Sequence, residues 1–429
     1  MGFEWPLVRL GDHVDACLGK MLDAKKNKGA LQPYLGNSNV RWGAFDLTDL
    51  AEMRFEPHEE ERYSLLPGDL VICEGGEPGR CAIWAGSAER MRIQKALHRI
   101  RPKATLDNYY LYYWFRHAAN VGQLEPYFTG TTIKHLTGKA IAALQVPLPA
   151  IATQRAMVGV LRELDDRIDL IRQTNATLEA IAQALFKSWF VDFDPVRAKM
   201  EGREPEGMSA ETAALFPNGF EESELGAIPR GWRVRSLDSM AHYLNGLALQ
   251  KFPPESDDEF LPVIKIAQLR AGSISGADRA SMNLRPDYVV RDGDVLFSWS
   301  GSLEVELWCG GEGALNQHLF KVTSDEVPKW LYYLATRHFL PRFREIAAHK
   351  ATTMGHIQRK HLTEARIAMP PEALLAALSD VMSALIERRI SGALQSRHLA
   401  ELRDTLLPRL ISGKLRLPVA REQVEEATT

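Results

Sequence analysis

The chain has little of what would mark a catalyst or a membrane protein. Four cysteines in 429 residues (Cys17, Cys73, Cys81, Cys309) cannot make a disulfide framework, and Cys73 and Cys81 lack the spacing of a zinc knuckle. They read as reduced structural thiols. No apolar run nears the ~20 residues of a membrane span. The opening Met1-Gly2-Phe3-Glu4-Trp5-Pro6 has neither the basic nor the apolar region of a secretory signal, and puts Pro6 where a myristoylation motif wants Ser or Thr. The expectation is a soluble cytoplasmic protein with no membrane partner. Phosphate-loop chemistry is missing, since Gly138-Lys139 is followed by Ala140. So are a G-x-G-x-x-G run, an Asn-Pro-Pro-aromatic run, H-E-x-x-H and paired C-x-x-C motifs. There is no basic excess either: 52 Lys and Arg stand against 55 Asp and Glu, a net charge of −3. Any face for a polyanion must therefore be local.

Two acid pairs are the tempting exceptions. Asp165-Asp166 falls on a helix flank, where solvation is expected, and Asp192/Asp194 sits at a helix end beside Pro195. Neither is read as catalytic or metal-binding. No catalytic residue, metal ligand or bound cofactor is expected, which favours recognition or scaffolding over catalysis. Hydrophobic residues at 45% and charged residues at 25% are globular values. The length suits two to four domains.

What is present is a repeat. Trp5 to Leu10 is echoed by Trp232 to Leu237, and Pro67-Gly68-Asp69-Leu70 by Asp292-Gly293-Asp294-Val295. Tyr112-Tyr113 returns as Tyr332-Tyr333, Thr131-Thr132 as Thr352-Thr353 and Pro149 as Pro370. A period near 221 is far beyond a solenoid unit and means one duplicated module, about 1–200 and about 225–415, with a pseudo-two-fold axis.

Each copy begins with a mixed α+β globule of short strands and turns, 1–150 and 231–370. Strands start after Gly-Asp, Gly75-Gly76-Glu77-Pro78-Gly79 is a turn, and Tyr109–His117 and Lys329–Phe339 read as short helices. A helix follows. Met157, Leu161, Leu164, Ile168, Ile171, Asn175, Leu178, Ala182, Leu185 and Trp189 step by four and three, a heptad seam over 151–195. Asn175 is its lone polar member and would fix register. Pro195 should end it. A span of 154–191 would be ~57 Å long at ~1.5 Å per residue. The second copy's helix, 371–415, has Leu375, Leu378, Met382 and Leu385, an interruption at Arg388-Arg389 and Ser391-Gly392, then Leu399, Leu402, Leu406 and Leu410. The two helices are expected to pack antiparallel as a rod holding the globules apart. Residues 196–230 read as an acidic connector and 416–429 as a tail. Net charge is +1 over 1–150, −5 over 151–230 and +1 over 231–366, so the globules suit a polyanion better than the first helix does.

The repeated Thr-Thr block is the best local signal for DNA: Thr131, Thr132, Lys134, His135 and Lys139 in the first copy, and Lys350, Thr352, Thr353, His356, Arg359 and Lys360 in the second. Hydroxyls and cations position phosphates, and His or Arg reaches base edges. Arg80, Arg92, Lys95 and Lys265 are further basic candidates.

The duplicated layout, Pro147-Leu148-Pro149 with Gln154-Arg155, the stretch Asn175–Pro195 and Leu406-Leu407-Pro408-Arg409-Leu410 with Ser412-Gly413 resemble type I restriction-modification specificity (S) subunits. The resemblance covers nearly the whole chain. It implies two target-recognition domains, each reading one half of a split asymmetric site in double-stranded DNA. The helices would set the unread spacer and dock two methyltransferase subunits. Half-sites about one helical turn apart, ~34–36 Å, put both reading faces on one side of the duplex. S-adenosylmethionine, ATP and Mg would sit on partner subunits, with restriction subunits completing the complex. An adaptor that assembles partners without reading DNA is the alternative; a fused methyltransferase or nuclease is disfavoured by the missing motifs. The second copy departs from the pattern at its helix entry, where Leu375 stands in the place of Gln154.

Overall fold

The computed structural model describes residues 5–23, 25–86, 90–349 and 355–428. They form two compact units: unit 1 is Met1–Arg167 with Leu399–Thr429, and unit 2 is Ile168–His398. Each contains one globular copy and one end of both long helices.

In unit 1 the first strand, Leu7–Arg9, pairs antiparallel with Gln145–Pro147 and so ties the two ends of the globule together. A four-stranded antiparallel sheet runs in the order Val14–Leu18, Leu97–Pro102, Leu70–Cys73, Cys81–Ile83. Leu70–Cys73 is apolar at every position because it is buried on both faces. A smaller sheet has Ala30–Leu35 between Ala51–Phe55 and Arg92–Ile93, the last pairing being parallel. Asp107 caps the helix Asn108–Asn120 by accepting from the Tyr109 and Tyr110 amides.

Unit 2 repeats this plan, with Val289–Val290 added as a fourth strand of the smaller sheet. Arg233–Ser236 pairs with Arg366–Met369, and the main sheet runs His242–Asn245, Leu319–Thr323, Val295–Ser298, Val305–Leu307. The parallel pairing recurs between Leu261–Ile264 and Gly313–Leu315. The helix Lys329–Ala348 matches Asn108–Asn120 and runs longer than the sequence suggested.

The repeated Gly-Asp now has a cause. Asp69 is 1% exposed, accepts from the Leu66 amide at 2.8 Å and binds Arg101 through both oxygens at 2.7 and 2.8 Å. Asp294 accepts from the Arg291 amide at 2.8 Å and pairs with Lys321 at 2.8 Å. A buried carboxylate needs such partners, and the two cations lie on matching strands. Gly19 and Gly246 are a second matched pair. Each lies so close to a neighbouring carbonyl, Gln94 or Asn316, that a Cβ would collide with it.

The first long helix, Ile151–Lys187, passes through a wider turn at Ser188–Asp192. Phe193 then adopts the left-handed conformation (φ 56°), and Pro195 lies in the first turn of Asp194–Met200. The end thus falls where Pro195 placed it. Met157, Leu161, Leu164, Ile168, Ile171, Ala182 and Trp189 are buried; Asn175, Leu178 and Leu185 are half-buried.

The second long helix, Glu372–Ile411, runs unbroken through Arg388–Gly392, where only its heptad spacing is interrupted. Arg389 is not a solvated break but pairs with Glu179 at 3.0 Å and Glu306 at 3.1 Å. Gly392 lies against Asn175, whose Oδ1 would be 2.5 Å from any Cβ there. In unit 2, 175 thus faces 392 and 179 faces 389, which is antiparallel pairing. Unit 1 has the same sense, with Asp165 bound to Arg403. The buried ridge of unit 2 is Leu374, Leu378, Met382, Ile386 and Ile390, while Leu375 and Leu385 are only half-buried. Leu399, Leu406 and Leu410 are buried in unit 1, and Leu402 is half-buried.

One other segment differs from expectation. Residues 196–230 contain the helix Ala210–Leu215 and a hairpin of Phe220–Ser223 with Gly226–Pro229, and they pack Val196, Phe216 and Ile228 into the core of unit 2. Gln154 is fully buried: its amide donates to the Thr105 and Pro149 carbonyls at 3.0 and 2.8 Å and accepts from the Asp107 amide at 2.8 Å. It clamps the helix entry to the globule of unit 1.

Candidate nucleic-acid interface

Three loops meet at one edge of unit 1. Arg80 in the turn after Leu70–Cys73 pairs with Glu77 at 3.0 Å and donates to the Asn37 carbonyl at 3.1 Å. Trp42 donates its indole N–H to Glu77 at 2.6 Å. Gly75 in the same turn lies against His135, whose Nδ1 would be 3.2 Å from any Cβ there. Thr129 and His135 exchange backbone hydrogen bonds of 2.9 and 2.8 Å, with Gly130 at φ 93° allowing the reversal. That closure leaves Thr131, Thr132, Ile133 and Lys134 exposed, with the Lys134 ammonium 5.8 Å from the Phe128 ring centroid. Lys95 is exposed beside Ala96, which adopts φ 91° and whose carbonyl accepts from the Glu74 amide at 2.8 Å. Lys139 is exposed on the short helix Gly138–Ala143, capped by Thr137.

Behind this edge, His98 is buried with Nε2 3.7 Å from the Glu74 carboxylate. Burial lowers its pKa despite the attraction of Glu74. Arg92 does not join the edge. It is 4% exposed, its guanidinium binds Glu60 and donates to the Arg90 carbonyl at 2.6 Å, and it stacks 5.4 Å from the Phe55 ring centroid. It braces the smaller sheet and presents no charge to solvent.

In unit 2, Lys350, Thr352 and Thr353 lie outside the described residues. His356 is half-buried and forms a backbone bridge with Ser300. Arg359 is exposed at the start of Arg359–Glu364, donates to the Tyr243 carbonyl at 3.1 Å and lies 5.6 Å from the Phe320 ring centroid; Lys360 is exposed next to it. Lys265 stands apart: it starts Ile266–Ala271 and is neutralised by Asp278.

Five residues that sequence reasoning missed complete this edge. Trp299 donates to Asn245 Oδ1 at 2.9 Å and lies 6.0 Å from the His318 ring and 6.4 Å from the His356 ring. Ser300 shares a hydrogen bond of 2.9 Å with His318 Nδ1, and Gln317 lies beside it, 3.4 Å from His318 Nε2. The available signal was positional. Trp299-Ser300 follows the repeated strand where Glu74-Gly75 follows it in the first copy, so extending the strand alignment by two residues reaches them.

The two edges thus hold the same place in the fold with different chemistry. Unit 1 offers a glycine turn rimmed by Trp42, Glu77, Arg80, Lys134 and His135; unit 2 offers Asn245, Trp299, Gln317, His318 and His356. Cations and hydroxyls suit phosphates, while amides and imidazoles are directional groups that read base edges. Among the described residues no group of three or more His, Cys, Asp or Glu is placed to hold a metal, and no helix is long and apolar enough to cross a membrane.

The type I restriction modification DNA specificity domain family matches residues 4–180 and 229–391, one stretch in each copy. The chain belongs to this family. It is a DNA specificity subunit of the type I restriction-modification class, a component that is not the catalyst. It is 26% identical over 338 residues to the HindI specificity subunit of Haemophilus influenzae, covering 66% of this chain and 72% of that one. It is also 26% identical over 361 residues to the MjaIX specificity subunit of Methanocaldococcus jannaschii, covering 82% and 78%. A crystal structure of an S subunit from M. genitalium aligns over 95% of this chain and 96% of that one, with 13% identity and a TM-score of 0.49.

Proposed function

We propose that the globules 1–150 and 231–370 each read one half of a split, asymmetric site in double-stranded DNA, in the cytoplasm. The observation behind this is the duplicated four-stranded sheet combined with unlike side chains on the matching edges. Two identical readers would suit a palindrome; two readers of one fold and different chemistry suit two different half-sites. The contact set comprises Arg80, Lys95, Thr131, Thr132, Lys134, His135 and Lys139 in unit 1, with His356, Arg359 and Lys360 in unit 2. Lys350, Thr352 and Thr353 belong to the same set by their place in the sequence, and Arg92 is withdrawn from it.

In this reading the paired helices dock two methyltransferase subunits, and restriction subunits complete the complex. S-adenosylmethionine, ATP and Mg are carried by those partners. The test is a domain exchange. Residues 1–148 are replaced by those of another family member, and the methylated sites of the assembled complex are read by sequencing. One half-site should change and the other should stay. A change in both halves defeats the assignment of one globule to one half.

A further inference from the structure

Trp299 and Asn245 make a hydrogen bond in unit 2 that has no counterpart in unit 1. Asn245 ends the strand His242–Asn245 opposite Phe320, and Leu18 holds the same place in the register opposite His98. Trp299 follows its strand where Glu74 follows in the first copy. A leucine and a glutamate cannot form this bond, yet the four strands pair in the same order without it. The fold therefore does not require it.

The bond has one direction. An indole N–H can only donate, so the oxygen of the Asn245 amide faces Trp299 at 2.9 Å and its nitrogen faces away. The indole is held by the rings of Phe320, His318 and His356, 5.9, 6.0 and 6.4 Å from its own. The backbone is held as well. The Trp299 carbonyl accepts from the Ile357 amide at 3.0 Å, and the Gly246 amide donates to the Leu319 carbonyl at 3.0 Å. Asn245 is exposed, and among the described residues its amide nitrogen meets no acceptor. Unit 2 thus presents a fixed donor whose acceptor is already taken. A cation stands close by: exposed Arg359 donates to the carbonyl of Tyr243, two residues before Asn245, and lies over the Phe320 ring. A charge that positions phosphate beside a directional amide is the make-up of a base-reading surface.

An unrestrained asparagine reads adenine with both ends of its amide, donating to N7 and accepting from the N6 amino group. Asn245 has no acceptor left for that. Guanine offers two acceptors, N7 and O6, and no donor on its major-groove edge. We propose that Asn245 reads a guanine in the half-site of unit 2, as a donor only, and that Trp299 is the positioning residue that denies this amide to adenine. The proposal rests on the reading that residues 231–370 address one half of the site.

The readout is the methylated motif of the assembled complex, determined by sequencing, with exchange of residues 231–370 marking the half-site that belongs to unit 2. Asn245→Ala should erase the preference for guanine at one position of that half and leave the other positions as they were. Trp299→Phe keeps a ring and removes the N–H. It should admit adenine beside guanine at that same position, with methylation of those sites rising at least tenfold. A tryptophan needed only for packing would weaken every position alike. Asn245→Asp turns oxygen alone outward without touching the core, and should cut methylation of the guanine sites at least tenfold. Circular dichroism establishes that each variant is folded. The proposal is overturned if Asn245→Ala leaves the motif unchanged, alters a base other than guanine or abolishes methylation everywhere, or if folded Trp299→Phe admits no adenine. If the exchange moves one half-site and these variants move none, this proposal falls alone. If the exchange moves neither, the reading beneath it falls too.

Discussion

Tyr113 and Tyr333 hold the same place in the two copies, and each donates its hydroxyl to a carboxylate on the first long helix. In unit 1 the acceptor is Asp165, at 2.6 Å, which also binds Arg403 at 2.5 Å. Arg403 reaches Asp404 at 2.8 Å as well. In unit 2 the acceptor is Glu179, with both oxygens 3.0 Å from Tyr333. Arg337 and Arg389 each bind Glu179 at 3.0 Å and continue to Glu306 at 3.0 and 3.1 Å. Burial raises both phenol pKa values, and in unit 1 the Asp165 carboxylate raises that of Tyr113 further. Burial works against the charge of Arg403 and Arg389; Asp165 and Asp404 more than offset it at Arg403, and Tyr333 with Glu179 and Glu306 does so at Arg389. The comparison teaches a rule of pairing. In both units the first helix supplies the acid and the second supplies a base, so the two helices are chemically complementary and neither is a good partner for its own kind. Asp165, read from sequence as a solvated flank residue, is half of this device.

The sharpest way to break that comparison is to remove the acids separately. Glu179→Ala leaves two guanidinium groups in a buried network with Glu306 alone. It should cost about 3–5 kcal/mol in chemical denaturation. Asp165→Ala should cost less, about 1–3 kcal/mol, because Arg403 keeps Asp404 and the Asp165 side chain is 24% exposed. Equal losses would show that the two anchors are equally tight and that the richer network of unit 2 adds nothing.

A smaller effect separates the units by pH. Unit 1 buries His98 where unit 2 has Phe320 at the matching register. Burial lowers the His98 pKa in the folded state, so the unfolded chain binds the proton more readily. The stability contributed by neutral His98 is present above the ordinary histidine value of ~6.5 and is lost as pH falls through it. Half-buried His117 shifts the same way, and so does His338. His98→Phe should flatten part of the fall in melting temperature between about pH 7.5 and 5.5. An unaltered slope would mean that His98 is not what couples unit 1 to acid.

The smallest effect lies on the edges proposed to face DNA. Lys134→Ala should lower the salt dependence of DNA binding by the assembled complex by about one unit of slope. Lys265→Ala should lower it by less, since Asp278 already neutralises that charge. Equal changes would erase the distinction between a free-standing cation and a paired one.

These residues show how far the sequence could be read. The helix bounds were legible because a heptad pattern and Pro195 are local signals. The duplication was legible because five blocks kept their order; the order in which the strands pair was not. Charge partners were not legible. Arg92 looked available because Glu60, its partner, is 32 residues away, and Arg389 looked like a break because Glu179 and Glu306 lie on other elements. The loop edge of each unit was legible only as a stretch of sequence. Composition found the Thr-Thr loop, but Trp299, His318 and Asn245 come together only when three strands align.

Gly392 opposite Asn175 acts as a key in its slot. Moving one helix along the other by a single heptad would set the amide against Leu385 or Leu399, stranding a polar group among leucines, while a side chain would now occupy the space that only hydrogen can fill. The pairing therefore has one setting and no neighbouring ones to drift into. Evolution can alter such a gauge only by inserting or deleting residues on both helices in step.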